Sequence, residues 1–369
     1  MLNTLVLSVT YKCPIECKLC GLSCNPRRKE RMSLAFMLKT IDEVASYGGV
    51  PHVTFTGGEP FLLRDDLLQA IERAKHHGMS TRVVTNAYWA KSADKASEIV
   101  KRFKDHGLTE INISVDDMHQ EHIPIEYVKN AHDACVDHDV FVLLAHKALS
   151  TSKVTVEYLE EVFGRELLDL LAERDRIASL PREARKSAEL PRAYIYGTHG
   201  CIPVGPGAEE TADSDLDYLY DPKCAERRCD SVLRDIIIGP TGNLHACCGV
   251  TMTDIPELNF DGVEQDGLVE TMRRANDDLI VNWLALEGPY GILLYVRKKD
   301  PTFELGSKIV GSCHLCRELL TNPKVREMLR NLDRDKAMEI IYKRMGLDSI
   351  RKDYQLARDL YDRPVMPLV

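Results

Sequence analysis

Leu5-Val6-Leu7-Ser8-Val9-Thr10-Tyr11-Lys12-Cys13-Pro14-Ile15-Glu16-Cys17-Lys18-Leu19-Cys20 is the stretch that decides the fold. Its first part reads as a short apolar strand. The three cysteines that follow, spaced Cys-x-x-x-Cys-x-x-Cys, fall in one loop. Soft thiolates grouped this closely select an iron–sulfur cluster or zinc. A cubane cluster with three protein ligands leaves one iron open for a small molecule, whereas structural zinc takes a fourth ligand. Cys24 is near enough in sequence to be that fourth ligand, so zinc stays open on this stretch alone.

Moving outward, the first half alternates strand and helix. Leu34, Met37, Leu38, Ile41, Val44 and Ala45 share one helical face, and Gly48-Gly49 ends it. Strands are expected at 53–56, 81–85, 110–115 and 140–145. Between them fall a helix carrying Leu63, Leu67, Ala70, Ile71 and Ala74, a helix over 93–106 closed by Gly107, and a helix opened by Pro124. A single long helix is expected over 156–176. Units of this length imply a parallel sheet with right-handed crossovers. The cysteine loop then sits at the C-terminal end of the first strand, where the active sites of barrels lie.

Composition narrows the class. A chain of 369 residues, 44% hydrophobic and 28% charged, is long enough for a sizeable core and for two domains or a barrel with an extension. Met1 leads straight into a strand, with no basic segment before it and no apolar run expected to serve as a signal or membrane span, so a cytoplasmic location is expected. Twelve cysteines in that compartment read as metal ligands rather than disulfides. A net charge of −9 without a basic stripe argues against nucleic acid as a partner, and no membrane is expected either.

A second motif lands at the end of the second strand, where Thr54-Phe55-Thr56 runs into Gly57-Gly58-Glu59-Pro60. Adjacent glycines let backbone approach a ligand closely, and a carboxylate can pair with an ammonium group. Alone this is a plain turn. One strand after the cysteine loop, it resembles the signature of the radical S-adenosylmethionine (SAM) superfamily. The resemblance implies an α/β fold, a partial (β/α)6 TIM-like barrel with a smaller C-terminal auxiliary-cluster domain and a helical tail. It implies a [4Fe–4S] cluster on Cys13, Cys17 and Cys20, with SAM chelating the open iron and its amino group near Gly57, Gly58 and Glu59. Further SAM contacts are expected at the other strand ends, from Asn86, Ser114, Asp116, His146 and Val204. Each of these also reads as an ordinary turn residue or helix cap.

Cysteines resume past an acidic linker: Cys224, Cys229, Cys247, Cys248 and Cys313-x-x-Cys316. A Cys-x-x-Cys with upstream partners completes a four-thiolate site, and a hairpin over 236–244 would bring Cys229 and Cys247 together. Zinc fits this spacing too. In a radical SAM context an auxiliary [4Fe–4S] cluster on Cys229, Cys247, Cys313 and Cys316 is the better reading. Cys24, Cys201 and Cys224 are left without a role. The expected domains are 1–208 for the barrel, 209–320 for the auxiliary cluster and 321–369 for the tail.

Four local patterns sharpen the resemblance: Ser114-Val115-Asp116-Asp117-Met118-His119, the run from Asp235 to Cys248, its terminal cysteine pair, and Cys313-His314-Leu315-Cys316. They occur in the order found in radical SAM peptide epimerases, which invert an L-residue of a ribosomal peptide. The chain departs from that pattern by a longer insert at 165–200 and a longer tail. The resemblance maps the hydrogen-atom donor onto Cys248 and a nearby aspartate onto Asp235. A thiol suits that role because its S–H bond is weak. Successive side chains in extended backbone diverge, so a ligand at Cys247 leaves its neighbour free. A strand beginning near Leu5 leaves no room upstream for a separate leader-binding domain, which does not decide the substrate. The other readings are radical SAM epimerisation or dehydrogenation of a small molecule such as an aminosugar, and a non-catalytic iron–sulfur or zinc protein. The partners implied are a peptide or small-molecule substrate and an electron donor such as flavodoxin or ferredoxin.

Overall fold

The structure, a computed structural model, describes residues 2–180, 191–196, 202–219, 226, 229–249, 252–306 and 308–361. Cys201 and Cys224 lie outside the described residues. In chain order the elements are β1 (Thr4–Thr10), α1 (Leu34–Tyr47), β2 (His52–Gly57), α2 (Asp65–His76), β3 (Ser80–Thr85), α3 (Ala93–His106), β4 (Glu110–Ser114), α4 (Asp117–Gln120) and α5 (Ile125–Asp137). There follow β5 (Phe141–Ala145), α6 (Val156–Phe163), α7 (Leu170–Ser179), β6 (Ala193–Tyr196), β7 (Asp235–Ile238), β8 (Leu244–His245) and β9 (Asn259–Phe260), then helices to residue 361.

The described strands form one sheet in the order β6-β5-β4-β3-β2-β1-β7-β8-β9. β1 through β6 pair in parallel, as repeated strand–helix units require. β7 then pairs in parallel with the free side of β1, matching Thr4 to Asp235 and Leu7 to Ile238. Among the described strands only β8 is reversed, pairing antiparallel with β7 on one side and β9 on the other. β7, which lies between Cys229 and Cys247, is therefore hydrogen-bonded to the strand that leads into the first cysteine group.

Alternation along β1 assigns its faces. Thr4 and Val6 line an internal lumen, while Leu5 and Leu7 are fully sealed in the core that Met37 and Ile41 of α1 also join. Both sides of the strand are covered, so it reads as a continuous apolar run. Helix ends follow local chemistry. Ser33 caps α1 by accepting from the Phe36 N–H at 3.1 Å, and Ser92 caps α3 by accepting from that of Lys95 at 3.4 Å.

Three expectations are corrected here. The helix predicted over 156–176 is two helices, because Gly164 adopts a left-handed conformation (φ 65°) that ends α6 and Asp169 caps α7 through the Ala172 N–H. Leu63 belongs to a 3₁₀ turn, Pro60–Leu63, ahead of α2. An apolar helix long enough by length and composition to span a membrane does exist, Leu279–Lys299. Half of its most apolar window is buried in the protein, with Trp283, Leu284 and Ile292 fully enclosed and a break at Gly288 ahead of Pro289.

Leu7 sits where β1, β2 and β7 meet, opposite Phe55 and Ile238. A Leu7→Ala variant should lose about 2–5 kcal/mol of stability, the cost of an uncollapsed core cavity. A denaturant titration checks this, and a midpoint equal to wild type would contradict the central placement of β1.

Candidate functional site

The lumen enclosed by the sheet has a volume of about 510 Å³. Its wall carries Cys13, Cys17, Cys20 and Cys24 from the loop after β1, and Asp235, Cys248 and Gly249 from the far segment. Register explains the joining. Asp235 opens β7 beside Thr4, the first residue of β1, while the cysteine loop follows the last residue, Thr10. The two groups therefore lie toward opposite ends of the same strands.

The cysteine loop is fastened to the sheet by backbone. The Gly58 N–H donates to the Thr10 carbonyl at 2.6 Å and the Glu59 N–H to the Lys12 carbonyl at 3.0 Å. A Cβ on Gly58 would stand 2.1 Å from the Lys12 oxygen, and one on Gly57 would stand 2.3 Å from that of Thr10. The glycine pair is thus needed for the loop to lie on it, besides lining the lumen. From the other side Gly205 packs against Cys20, whose carbonyl oxygen would be 2.3 Å from a Cβ there, and neighbouring Val204 lines the lumen.

Glu59 is fully buried and is absent from the lumen wall. Its carboxylate accepts from the Thr85 hydroxyl at 2.9 Å, the Asn86 N–H at 3.0 Å and the Phe61 N–H at 3.1 Å. Burial pushes its pKa up to about 7, against the pull of these donors. Glu59 therefore ties the end of β3 to the turn after β2. His146 also turns from the lumen, which Ala145 and Lys147 on either side of it line, and its Nε2 donates to the Val154 carbonyl at 2.7 Å. Both side chains bond within the protein.

Asn86, Ser114 and Asp116 do line the lumen. Asp116 caps α4, accepting from the His119 N–H at 3.0 Å and from His119 Nδ1 at 2.8 Å. Burial acts to lower the pKa of His119, but the Asp116 carboxylate and the Cys17 sulfur together hold it well above the usual histidine value. Among the wall residues, Arg82, His119 and Lys147 carry charge or donors to which the sequence reading gave no role. Arg82 was legible in principle. It pairs in register with Thr54, and alternate residues of a parallel strand share a face. It binds Glu110 with Nε at 2.7 Å and Nη2 at 3.0 Å.

At the far end the Cys248 thiol faces the Asp235 carboxylate, Sγ to Oδ2 3.9 Å. Cys248 is exposed to the lumen, whereas Cys247 is buried. Burial raises the pKa of both Cys248 and Asp235, which favours the protonated thiol. Behind them Cys229, Cys247, Cys313 and Cys316 are mutual electrostatic neighbours, and a Cβ on Gly249 would lie 3.2 Å from Cys313 Sγ and 3.6 Å from Cys247 Sγ. Four cysteine sulfurs in one partly buried group are the donor type that holds an iron–sulfur cluster, while among the described residues no three His, Cys, Asp or Glu side chains are grouped to hold a single metal ion.

Comparison with known proteins now defines the class. Residues 7–161 match the model of the Radical SAM superfamily. The cofactors of such a domain are SAM and a [4Fe–4S] cluster, and the residues present fit the cluster in kind: Cys13, Cys17 and Cys20, with Cys24 beside them, all open on one lumen. Over 323 residues the chain is 19% identical to YydG of Bacillus subtilis (strain 168), named for peptide biosynthesis, covering 87% of this chain and 92% of that one. It is 31% identical over 121 residues to the PqqA peptide cyclase of Granulibacter bethesdensis, covering 32% of this chain and 30% of the relative. Among solved structures, anSMEcpe with bound AdoMet and Cp18Cys peptide superposes with a TM-score of 0.50 at 11% identity, covering 94% of this chain and 99% of that one; this likeness supports the fold.

Two substitutions test the architecture. Gly58→Ala should displace the Lys12 backbone, and the purified protein should bind less iron than wild type at a lower thermal midpoint; unchanged iron content would contradict the fastening. Glu59→Gln turns one amide N–H toward donors that need an acceptor, and should cost about 1–3 kcal/mol in denaturant titration. A variant of wild-type stability would show that the Glu59 carboxylate does not hold the two turns together.

Proposed function

We propose that this radical SAM enzyme inverts an L-residue of a ribosomally made peptide to the D-form. The observation that carries the reading is the shared lumen, with Cys13, Cys17 and Cys20 toward one end and the Cys248 thiol, held by Asp235, toward the other. A substrate carbon between them can be approached from opposite faces. The peptide as substrate class is supported by the names of the relatives, the peptide biosynthesis protein YydG and the PqqA peptide cyclase.

Cys13, Cys17 and Cys20 would hold a [4Fe–4S] cluster, which with SAM bound would supply abstraction of a hydrogen atom from a substrate carbon. The remaining work falls to the chain. Gly57, Gly58, Asn86, Ser114, Asp116 and Val204 form the wall against which SAM is held. Cys229, Cys247, Cys313 and Cys316 would hold an auxiliary [4Fe–4S] cluster. Cys248 breaks its S–H bond as a new C–H bond forms on the face opposite abstraction. Its sulfur then returns to the thiol by taking up one proton and one electron, the electron coming from a low-potential carrier of the flavodoxin or ferredoxin class. Asp235 orients the S–H, and burial keeps it protonated. That is the form a hydrogen-atom donor needs.

Turnover in D2O should place one deuterium at the inverted carbon, because the thiol hydrogen exchanges with solvent. Cys248→Ala should retain about eight irons per chain, as two [4Fe–4S] clusters require. It should still cleave SAM when given a peptide substrate, and should release no inverted product in mass-spectrometric and chiral amino-acid assays. A product two hydrogens lighter, undeuterated and indifferent to Cys248, would mean oxidation in place of inversion. Loss of about half the iron would make Cys248 a ligand.

A further inference from the structure

Three side chains with no part in the ligand count meet the three sulfurs of the first cysteine loop, one on each. Asn86 Nδ2 donates to Cys13 Sγ at 3.5 Å. The His119 imidazole hydrogen-bonds the Cys17 sulfur. The Cys24 N–H donates to Cys20 Sγ at 3.4 Å, and the Cys24 thiol, which also reaches the Leu22 carbonyl at 3.9 Å, hydrogen-bonds the same sulfur. These donors come from three separate places: the turn after β3, helix α4 and the cysteine loop itself.

Each donor is held in turn. Asn86 Oδ1 accepts from the Tyr88 N–H at 3.0 Å, and the Asn86 N–H donates to Glu59 at 3.0 Å, so the amide cannot swing away or flip without loss. His119 is fixed by Asp116 through Nδ1 at 2.8 Å. Cys24 is only 4% exposed. Its side chain stands within hydrogen-bond reach of Cys20.

We infer that Cys24, His119 and Asn86 are positioning residues that raise the reduction potential of the SAM-binding cluster by donating hydrogen bonds to its ligand sulfurs. The inference rests on the reading of Cys13, Cys17 and Cys20 as those ligands. The physical ground is simple. The reduced cluster carries one more negative charge, spread partly over its sulfurs, and a fixed donor stabilises it more than the oxidised form. In a partly buried site, where water screens little, the effect of each donor is larger than at the surface. The arrangement brings one-electron reduction nearer the range of a protein carrier.

The test uses full-length protein reconstituted anaerobically, with iron analysis and potentiometric titration followed by electron paramagnetic resonance. Cys24→Ala and His119→Phe should each keep wild-type iron content and move the midpoint of the SAM-binding cluster to more negative potential. Cys24→Ser and His119→Gln, which retain a donor, should restore most of the shift. The second cluster is the internal reference, and its midpoint should not move. Midpoints unchanged in both donor-free variants at full iron content would overturn the inference. So would the loss of about four irons in Cys24→Ala, since Cys24 would then be a ligand. A wild-type protein that binds zinc and no cluster would instead remove the cluster reading itself.

Discussion

Everything in this site depends on backbone meeting backbone at Thr10–Lys12 and Gly57–Gly58. The last residues of β1 lie on the turn after β2 so closely that no Cβ fits between them, and two N–H groups of that turn close the contact. The cysteine loop hangs directly from this seam. Side-chain packing alone would leave a loop rich in polar and charged residues free to choose among conformations. The seam removes that choice by occupying backbone groups that must be paired somewhere. Glu59, next in line, extends the fastening to β3 through Thr85 and Asn86, so three consecutive strand ends are hydrogen-bonded to one another.

A second constraint is the register of β7 on β1. Because Thr4 faces Asp235 across a parallel ladder, the segment carrying the second cysteine group is locked to the strand carrying the first. The lumen follows from that pairing. Alternate residues of β1, β2, β3 and β7 turn inward, giving a wall of Thr4, Val6, Thr54, Arg82, Asp235 and Ile237. A slip of one residue would exchange this wall for the apolar set now sealed in the core. With the register as found, a buried cysteine, Cys247, faces its three sulfur neighbours, and the next residue, Cys248, opens on the lumen. Divergence of successive side chains is enough to give two adjacent cysteines different surroundings.

The strands were legible because their composition and period agree: four of those expected in the first half after β1 appear within two residues of their places. The domain class was legible from two short motifs on adjacent strand ends. The helix over 156–176 was not, because the apolar period continues across Gly164 and only the left-handed turn there reveals the break. Glu59 and His146 were read as ligands of SAM from their place at strand ends. Sequence position fixes which end of a strand a residue occupies, and leaves open whether its side chain finds a partner in the protein first. Both do.

By itself, then, the sequence determined the parallel sheet, the cysteine loop at a strand's C-terminal end, the glycine pair one strand on, and a second thiolate group downstream. These are local patterns, set by spacing within a few residues, and spacing survives without a fold. Only the tertiary structure decided that β7 joins β1, that both cysteine groups open on one lumen, and that Asn86, His119 and Cys24 each reach a different sulfur. Those contacts join residues as far apart in the chain as Thr4 and Asp235, 231 positions, where no periodicity connects them. They arise because buried backbone and buried sulfur must each find a partner, and the partner is whatever the folded sheet brings alongside.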